Sequence, residues 1–266
     1  MARARRKDNP EGNMSLGEHL KEARNRFFAS AIAIVVCSIA GGFFWKPFVG
    51  LLTAPVKEAA GDRGTINFGT QTQAFDQLLQ GSLFLGFVAS SPFWLYQAWA
   101  YLQPALTKKE QRMSLGFLFA AIPLFLGGVY LAWLIYPHAV RALYAFVPEG
   151  STYYLAAAEF IQFVLRLHLA FGFAFLVPLL LVGANMLGFV TGKRVAKAWR
   201  IVVFVCVAFA AMAAPGPDLF PMFALAAPML ILFFVAVLVC MVNDRRRARR
   251  TIAHATTDEV RPVSAI

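Results

Sequence analysis

Two carboxylates in this chain are placed to do recognition chemistry. Glu22 sits in His19-Leu20-Lys21-Glu22-Ala23-Arg24, and Glu110 sits in Leu106-Thr107-Lys108-Lys109-Glu110-Gln111-Arg112. Each is an anion among bases. Such a carboxylate accepts a guanidinium through two parallel charge-assisted hydrogen bonds, a geometry that lysine does not reproduce. On spacing, each is expected to pair at rest with its own neighbour, Glu22 with Arg24 and Glu110 with Arg112. A second polar set lies farther along, where Glu159, Gln162 and Arg166 fall at i, i+3 and i+7 on one helix face. His168 follows two residues later. A charge inside an apolar run costs about 3 kcal/mol on insertion scales and faces protein or water, unless its long stem carries the charge outward to the interface. Asp218, in Ala214-Pro215-Gly216-Pro217-Asp218-Leu219-Phe220, suits the first turn of a following helix.

Hydrolytic chemistry finds no support. The sequence holds no Walker loop, no G-x-S-x-G and no H-E-x-x-H. No catalytic residue, metal site or cofactor is predicted. Cys37, Cys206 and Cys240 all lie within apolar runs and read as small buried hydrophobes rather than a disulfide framework.

The elements that must position these residues are membrane spans. The 266 residues are 59% hydrophobic and 15% charged, with a mean hydropathy of +0.61. Soluble domains run about 45–50% apolar and about 25% charged. The apolar residues also come in long runs rather than stripes, as lipid-solvated helices require. Spans are predicted at 27–45, 76–98, 115–136, 160–183, 199–214 and 221–242. Two polar connections separate them, Lys46 to Phe75 and Pro137 to Ala158. The stretch before the first span, to Arg26, is polar and basic without an apolar run, so a cleaved signal peptide is not expected.

Charge sets the orientation. Seven lysines and arginines lie between Arg3 and Arg26, three between Lys108 and Arg112, four between Lys193 and Arg200, and six between Arg245 and Arg261. The opposite side carries Lys46, Lys57, Arg63 and Arg141, and Arg166 lies within the fourth span. Bases concentrate on cytoplasmic loops, so both termini are predicted inside. The net charge of +11 therefore sits at span ends rather than on a nucleic-acid-binding face. The expected fold is an all-α polytopic membrane protein of six transmembrane helices, N-in and C-in. Its domains are a basic tail at 1–14, the six-span region at 15–244 and a second basic tail at 245–266. Pro92, Pro123, Pro178, Pro221 and Pro228 lie within the spans and kink helices, which favours a concave bundle. The fifth span, at about 16 residues or ~24 Å, is short for a ~30 Å core.

These residues also carry a family resemblance. His19 to Arg24 resembles the H-L-x-E-L-R signature of TatC, the core membrane subunit of the twin-arginine protein translocase. Pro92 to Arg112, reading P-F-W-L-Y-Q-A-W-A-Y-L-Q-P-A-L-T-K-K-E-Q-R, resembles P-x-x-x-Y-Q-x-W-x-F-x-x-P-x-L-x-x-x-E-R-R. Ala170-Phe171-Gly172 through Pro178 is similar to A-F-G-x-x-F-E-x-P, and Pro215 to Phe220 to T-P-x-D-x-F. The matches keep their order over about residues 15–245.

The resemblance implies a non-enzymatic receptor in a bacterial cytoplasmic membrane. It would read the paired arginines of a signal peptide on folded cargo, at the cytoplasmic face. Glu22 and Glu110 would be the arginine acceptors, exchanging resident bases for cargo arginines. Arg24, Arg112, Tyr101, Pro104 and Leu106 would shape the patch. Pro55 and Asp218 match positions in the outer loops, with structural or subunit-contact roles. Partners would be TatA/TatB-type single-span proteins, further copies of the chain in the receptor complex, and a proton-motive force. Leu176 stands where the family carries a buried glutamate, so Gln162, Arg166 or His168 is expected to supply that polar contact instead. Five arginines between 245 and 250 favour anionic lipid. The alternative from the residues is a transporter or channel with Arg166 and His168 in the pathway.

Overall fold

A computed structural model describes residues 16–60, 64–103, 108–145, 153–186, 188–213 and 219–259. Pro104, Leu106 and Asp218 lie outside the described residues, as do the side chains of Glu110 and Arg112. The chain divides into two compact units, Met1–Phe173 and Ala174–Ile266.

In the first unit, α1 (Leu16–Phe43) turns at Phe44 into α2 (Trp45–Ala60). The turn is closed by Phe44 N–H donating to the Gly41 carbonyl at 3.0 Å. Sequence reasoning assigned 46–75 to a polar connection, and the structure corrects this. Trp45, Leu52 and Val56 recur at helical spacing and are all buried, while Lys57 and Glu58 face outward. That pattern is an amphipathic helix whose apolar face needs a partner. The partner is α5 (Lys108–Tyr144): Tyr136 Oη donates to the Leu52 carbonyl, and Arg141 Nη2 meets Glu58 Oε2 at 2.8 Å. Pro55 is buried inside α2.

The second predicted span is two helices, α3 (Gln73–Ala89) and α4 (Ser91–Leu102), bent by 59°. Pro92 explains the break. Its nitrogen has no proton to continue the α3 ladder, and the Ser90 carbonyl starts a new one, accepting from Phe93 N and Trp94 N. The Phe87 carbonyl freed by the break takes Trp94 Nε1–H at 3.1 Å and Ser90 Oγ–H at 3.3 Å. No backbone group can be left bare in hydrocarbon, so the tryptophan is part of the bend. α1 and α3 pack with almost no side chain between them. A Cβ on Gly86 would lie 2.4 Å from the Ser38 nitrogen, and one on Gly41 would lie 2.9 Å from the Ser82 carbonyl oxygen.

α5 runs 37 residues, about 55 Å at 1.5 Å per residue, which exceeds a ~30 Å core. It passes through Pro123 and Pro137 and ends at Tyr144 rather than at 136. The helix therefore occupies the first part of the predicted second connection. The remainder includes β2 (Tyr153–Ala156), which pairs in parallel with β1 (Gly64–Asn67), in register Gly64 with Tyr153. This short sheet is the one departure from an all-α fold among the described residues. Then α6 (Ala157–Met186) begins. Phe125 is fully buried and meets Trp94 edge-on at 5.3 Å and Phe173 at 5.7 Å.

The second unit holds the rest of α6, then α7 (Gly192–Lys197), α8 (Trp199–Ala213) and α9 (Leu219–Glu259). Its core is Val195, Phe233 and Val237 with Leu181, Val202 and Met241 packed around them. α8 has 15 residues, about 22 Å, and matches the short fifth span. α9 carries on past residue 244 without interruption, so the predicted tail at 245–266 starts inside a helix.

Among the described residues, four helices are long and apolar enough to cross a bilayer, over Gly17–Phe43, Ser114–Arg141, Ala157–Met186 and Ala226–Arg245. The bent α3–α4 pair makes a fifth when taken as one span. Together they form a polytopic helical membrane protein.

Candidate functional site

The polar end of α1 meets the far end of α4, and this contact holds two of the predicted residues, Glu22 and Tyr101. On α1, His19, Glu22 and Arg26 fall at i, i+3 and i+7, on one face. On α4, Gln97 and Tyr101 fall at i and i+4. Arg26 donates to Glu22 Oε1 twice, from Nε at 3.0 Å and from Nη2 at 2.6 Å. Its third nitrogen, Nη1, donates to Gln97 Oε1 at 3.2 Å. One turn away, the His19 and Tyr101 rings stack at 4.5 Å with 21° between planes. Glu22 keeps 22% of its side-chain surface and Arg26 keeps 26%. The other carboxylate oxygen, Glu22 Oε2, is buried and has no hydrogen-bond partner among the described residues.

The resting partner of Glu22 is Arg26, not Arg24, and this corrects the expectation from spacing. Residues two apart on a helix point to different faces, whereas i and i+4 are neighbours. Glutamate placed N-terminal to its base is also the favoured order. Arg24 is exposed. Glu110 and Arg112 both lie in the continuous helix α5.

A second set of bonds fixes the end of α4 to the start of α5. Trp99 Nε1–H donates to Ser114 Oγ at 3.1 Å, and Ser114 Oγ–H donates to the Gln111 carbonyl at 3.0 Å. Gln111 Nε2–H donates to the Gln103 carbonyl at 3.1 Å. Because α4 also holds Arg26 through Gln97, the backbone carrying Glu110 is tied to the helix that faces Glu22. Sequence reasoning missed Arg26 and Gln97 as site residues. The signal was present: Arg26 is one turn beyond Glu22, and Gln97 lies inside the aromatic segment from Pro92.

The other predicted residues are dispersed. Arg166 is exposed, and its Nη2 reaches Gln162 Oε1 at 3.3 Å. Glu159 is exposed as well. His168 is 2% exposed, with Nδ1 2.7 Å from the Val164 carbonyl. It sits among Phe84, Trp133 and Tyr136, whose ring centroids lie 5.9–6.2 Å away. Arg166 and His168 therefore do not line one pathway. Leu176 is half-buried in α6.

In the second unit a different carboxylate is fully engaged. Asp244 Oδ1 accepts from Asn185 Nδ2 at 2.8 Å, and Oδ2 accepts from the Gly192 backbone N–H at 2.6 Å. Asn243 Nδ2 donates to Asn185 Oδ1 at 3.0 Å, and Asn185 Nδ2 also reaches the Val190 carbonyl at 2.9 Å. The network closes the α6–α7 connection onto α9. No group of three or more metal-ligating side chains converges among the described residues.

Comparison with known proteins covers most of the chain. The family described as Sec-independent protein translocase protein (TatC) matches residues 18–228. Sec-independent protein translocase protein TatC of Rothia mucilaginosa is 43% identical over 249 residues, spanning 92% of this chain and 85% of that protein. The TatC protein of Xylanimonas cellulosilytica is 43% identical over 241 residues, spanning 90% and 87%. Two crystal structures of the twin arginine translocase receptor TatC superpose with TM-scores of 0.72 and 0.75. They are 28% and 29% identical, and cover 85% and 84% of this chain and 99% of their own.

Proposed function

We propose a function from one premise: the chain belongs to the TatC family of Sec-independent protein translocases. It is the TatC core subunit of such a translocase, a membrane-embedded transport component rather than an enzyme. The finer reading is that it receives the twin-arginine signal peptides of folded cargo at the cytoplasmic face. Glu22 and Glu110 accept the paired guanidinium groups, with Arg24, Arg112, Tyr101, Pro104 and Leu106 shaping the surface around them.

The observation that carries this reading is the state of Glu22. A buried carboxylate oxygen without a donor costs free energy that an incoming N–H recovers, and Oε2 is such an oxygen. A guanidinium supplies the donor together with the compensating charge.

The remainder of the proposal concerns topology and partners. Six spans, with α3–α4 as one and the short α8 as another, place both termini in the cytoplasm by the lysine and arginine distribution. That orientation puts Glu22 and Glu110 on the same side of a bacterial cytoplasmic membrane. The basic tail beyond Asp244 lies on anionic lipid. TatA/TatB-type single-span proteins and further copies of this chain complete a translocase driven by proton-motive force. Leu176 leaves partner docking without a buried acid, and Gln162, Arg166 or His168 of α6 supplies the polar contact instead. Pro55 and Asp218 serve the outer surface.

The test is crosslinking of a twin-arginine signal peptide to the full chain in membranes. Glu22→Ala and Glu110→Ala are each expected to abolish it. Unchanged crosslinking with both residues removed would sink the site.

A further inference from the structure

The α1–α4 contact assigns a role to Arg26, which lies outside the motifs, and to Gln97, a fixed position of the Pro92–Arg112 motif to which no role was given, and the inference rests on the signal-peptide reading above. We propose that Arg26 and Gln97 are positioning residues: Arg26 stays bound to one oxygen of Glu22, Gln97 holds Arg26 there, and the cargo guanidinium binds alongside Arg26 at the other oxygen.

Three observations lead to this. First, the contact is asymmetric. A free arginine facing a free glutamate forms two parallel bonds, one to each oxygen. Here both the Nε and Nη2 donors converge on Oε1, and Oε2 receives nothing from the described residues. Second, the guanidinium is held at two points. With Nη1 committed to Gln97 Oε1, its plane is fixed by a residue on another helix. Third, displacement is the costlier route. Driving Arg26 off Glu22 breaks two charge-assisted bonds and one bond to Gln97, and leaves a partly buried guanidinium unpaired. Filling Oε2 breaks none of these and pairs an acceptor that has no donor.

The consequence is an acceptor prepared before cargo arrives. Arg26 keeps Glu22 aimed, so that binding orders fewer side chains. Oε2 is closed from solvent at rest. Entry therefore requires the groups that cover Oε2 to move aside while the Arg26–Gln97 bond holds.

The two routes differ in sign, which makes the experiment decisive. The full chain is assayed in membranes with a photo-crosslinkable synthetic signal peptide bearing paired arginines, and with its paired-lysine counterpart as background. Gln97→Met removes the acceptor that orients Arg26 while keeping the volume. Arg26→Lys keeps the charge but cannot bridge Glu22 and Gln97 through one planar group. Each is expected to weaken peptide capture about tenfold. Gln97→Glu, which keeps an acceptor for Arg26, is expected to restore capture to near the parent level at equal chain content. Capture that strengthens in Arg26→Gln would show a resident arginine that competes with cargo, and would overturn the proposal. Unchanged capture in both Gln97→Met and Arg26→Lys would overturn it too, while loss in Glu22→Gln leaves the site itself standing. Unchanged capture in Glu22→Gln would overturn the site and this inference together.

Discussion

Glu22 in the first unit and Asp244 in the second are both carboxylates at the polar end of a membrane helix, and they are used in opposite ways. Asp244 gives one oxygen to Asn185 and the other to the Gly192 N–H, with each contact at 2.8 Å or less. Each of its oxygens has a partner within its own unit. Glu22 receives two donors on one oxygen and none from the described residues on the other. The difference teaches how to tell a fastening from a binding group in the same chemical type. A staple satisfies itself within the fold, whereas a receptor keeps an acceptor open and bears the cost of doing so.

That contrast can be broken by crossing substitutions between the two carboxylates. The largest effect is expected from Glu22→Ala, with at least a hundredfold loss of signal-peptide crosslinking and little change in the denaturation midpoint in detergent. Asp244→Ala is expected to do the reverse. It removes two hydrogen bonds to a charged acceptor and leaves the Gly192 N–H unpaired, for a loss of about 3 kcal/mol. Hydrogen exchange at Gly192 and a lowered midpoint would register it, with peptide capture unchanged. If Asp244→Ala abolished capture while leaving stability intact, the distinction between staple and receptor would fail.

A smaller effect tests the bend that presents α4. Trp94→Phe keeps the ring against Phe125 but deletes the N–H that serves the Phe87 carbonyl, at a cost of about 1 kcal/mol. Ser90 Oγ still serves that carbonyl, so the helix break persists and only the midpoint falls. The smallest expected change concerns Leu176. Leu176→Glu restores an acid on half-buried α6 and is expected to raise crosslinking to a single-span partner helix a few-fold. No gain would place partner docking elsewhere on the chain.

Much of this molecule was legible before any coordinates. The long apolar runs located the helices of α1, α5, α6 and α9, because backbone groups in hydrocarbon must be satisfied internally, whereas Pro92 was read only as one kinking proline within a single span and not as the break between α3 and α4. The short fifth apolar segment came out as α8, at 15 residues. What was misread has a common cause. The stretch 46–75 carries too many polar residues for a span, yet Trp45, Leu52 and Val56 are an amphipathic stripe that needs only one apolar partner. Pro137 read as a helix stop, but α5 continues through it to Tyr144, and Arg141 in that extension pairs with Glu58 of α2. The parallel pairing of Gly64–Asn67 with Tyr153–Ala156 joins segments about ninety residues apart, and no local pattern announces it.

The sequence by itself determined the membrane class, most of the helices, the family motifs and the choice of the two acidic residues proposed for recognition. Composition and motif spacing are local properties, and lipid enforces them strongly. Only the tertiary structure decided which base Glu22 takes and what remains of its capacity. The choice of Arg26 over Arg24 follows from helical geometry, which spacing in a linear string conceals. The involvement of Gln97, 71 positions away in the chain, follows from α4 packing on α1. An open oxygen is a statement about what neighbours fail to supply, and neighbours exist only once the chain has folded.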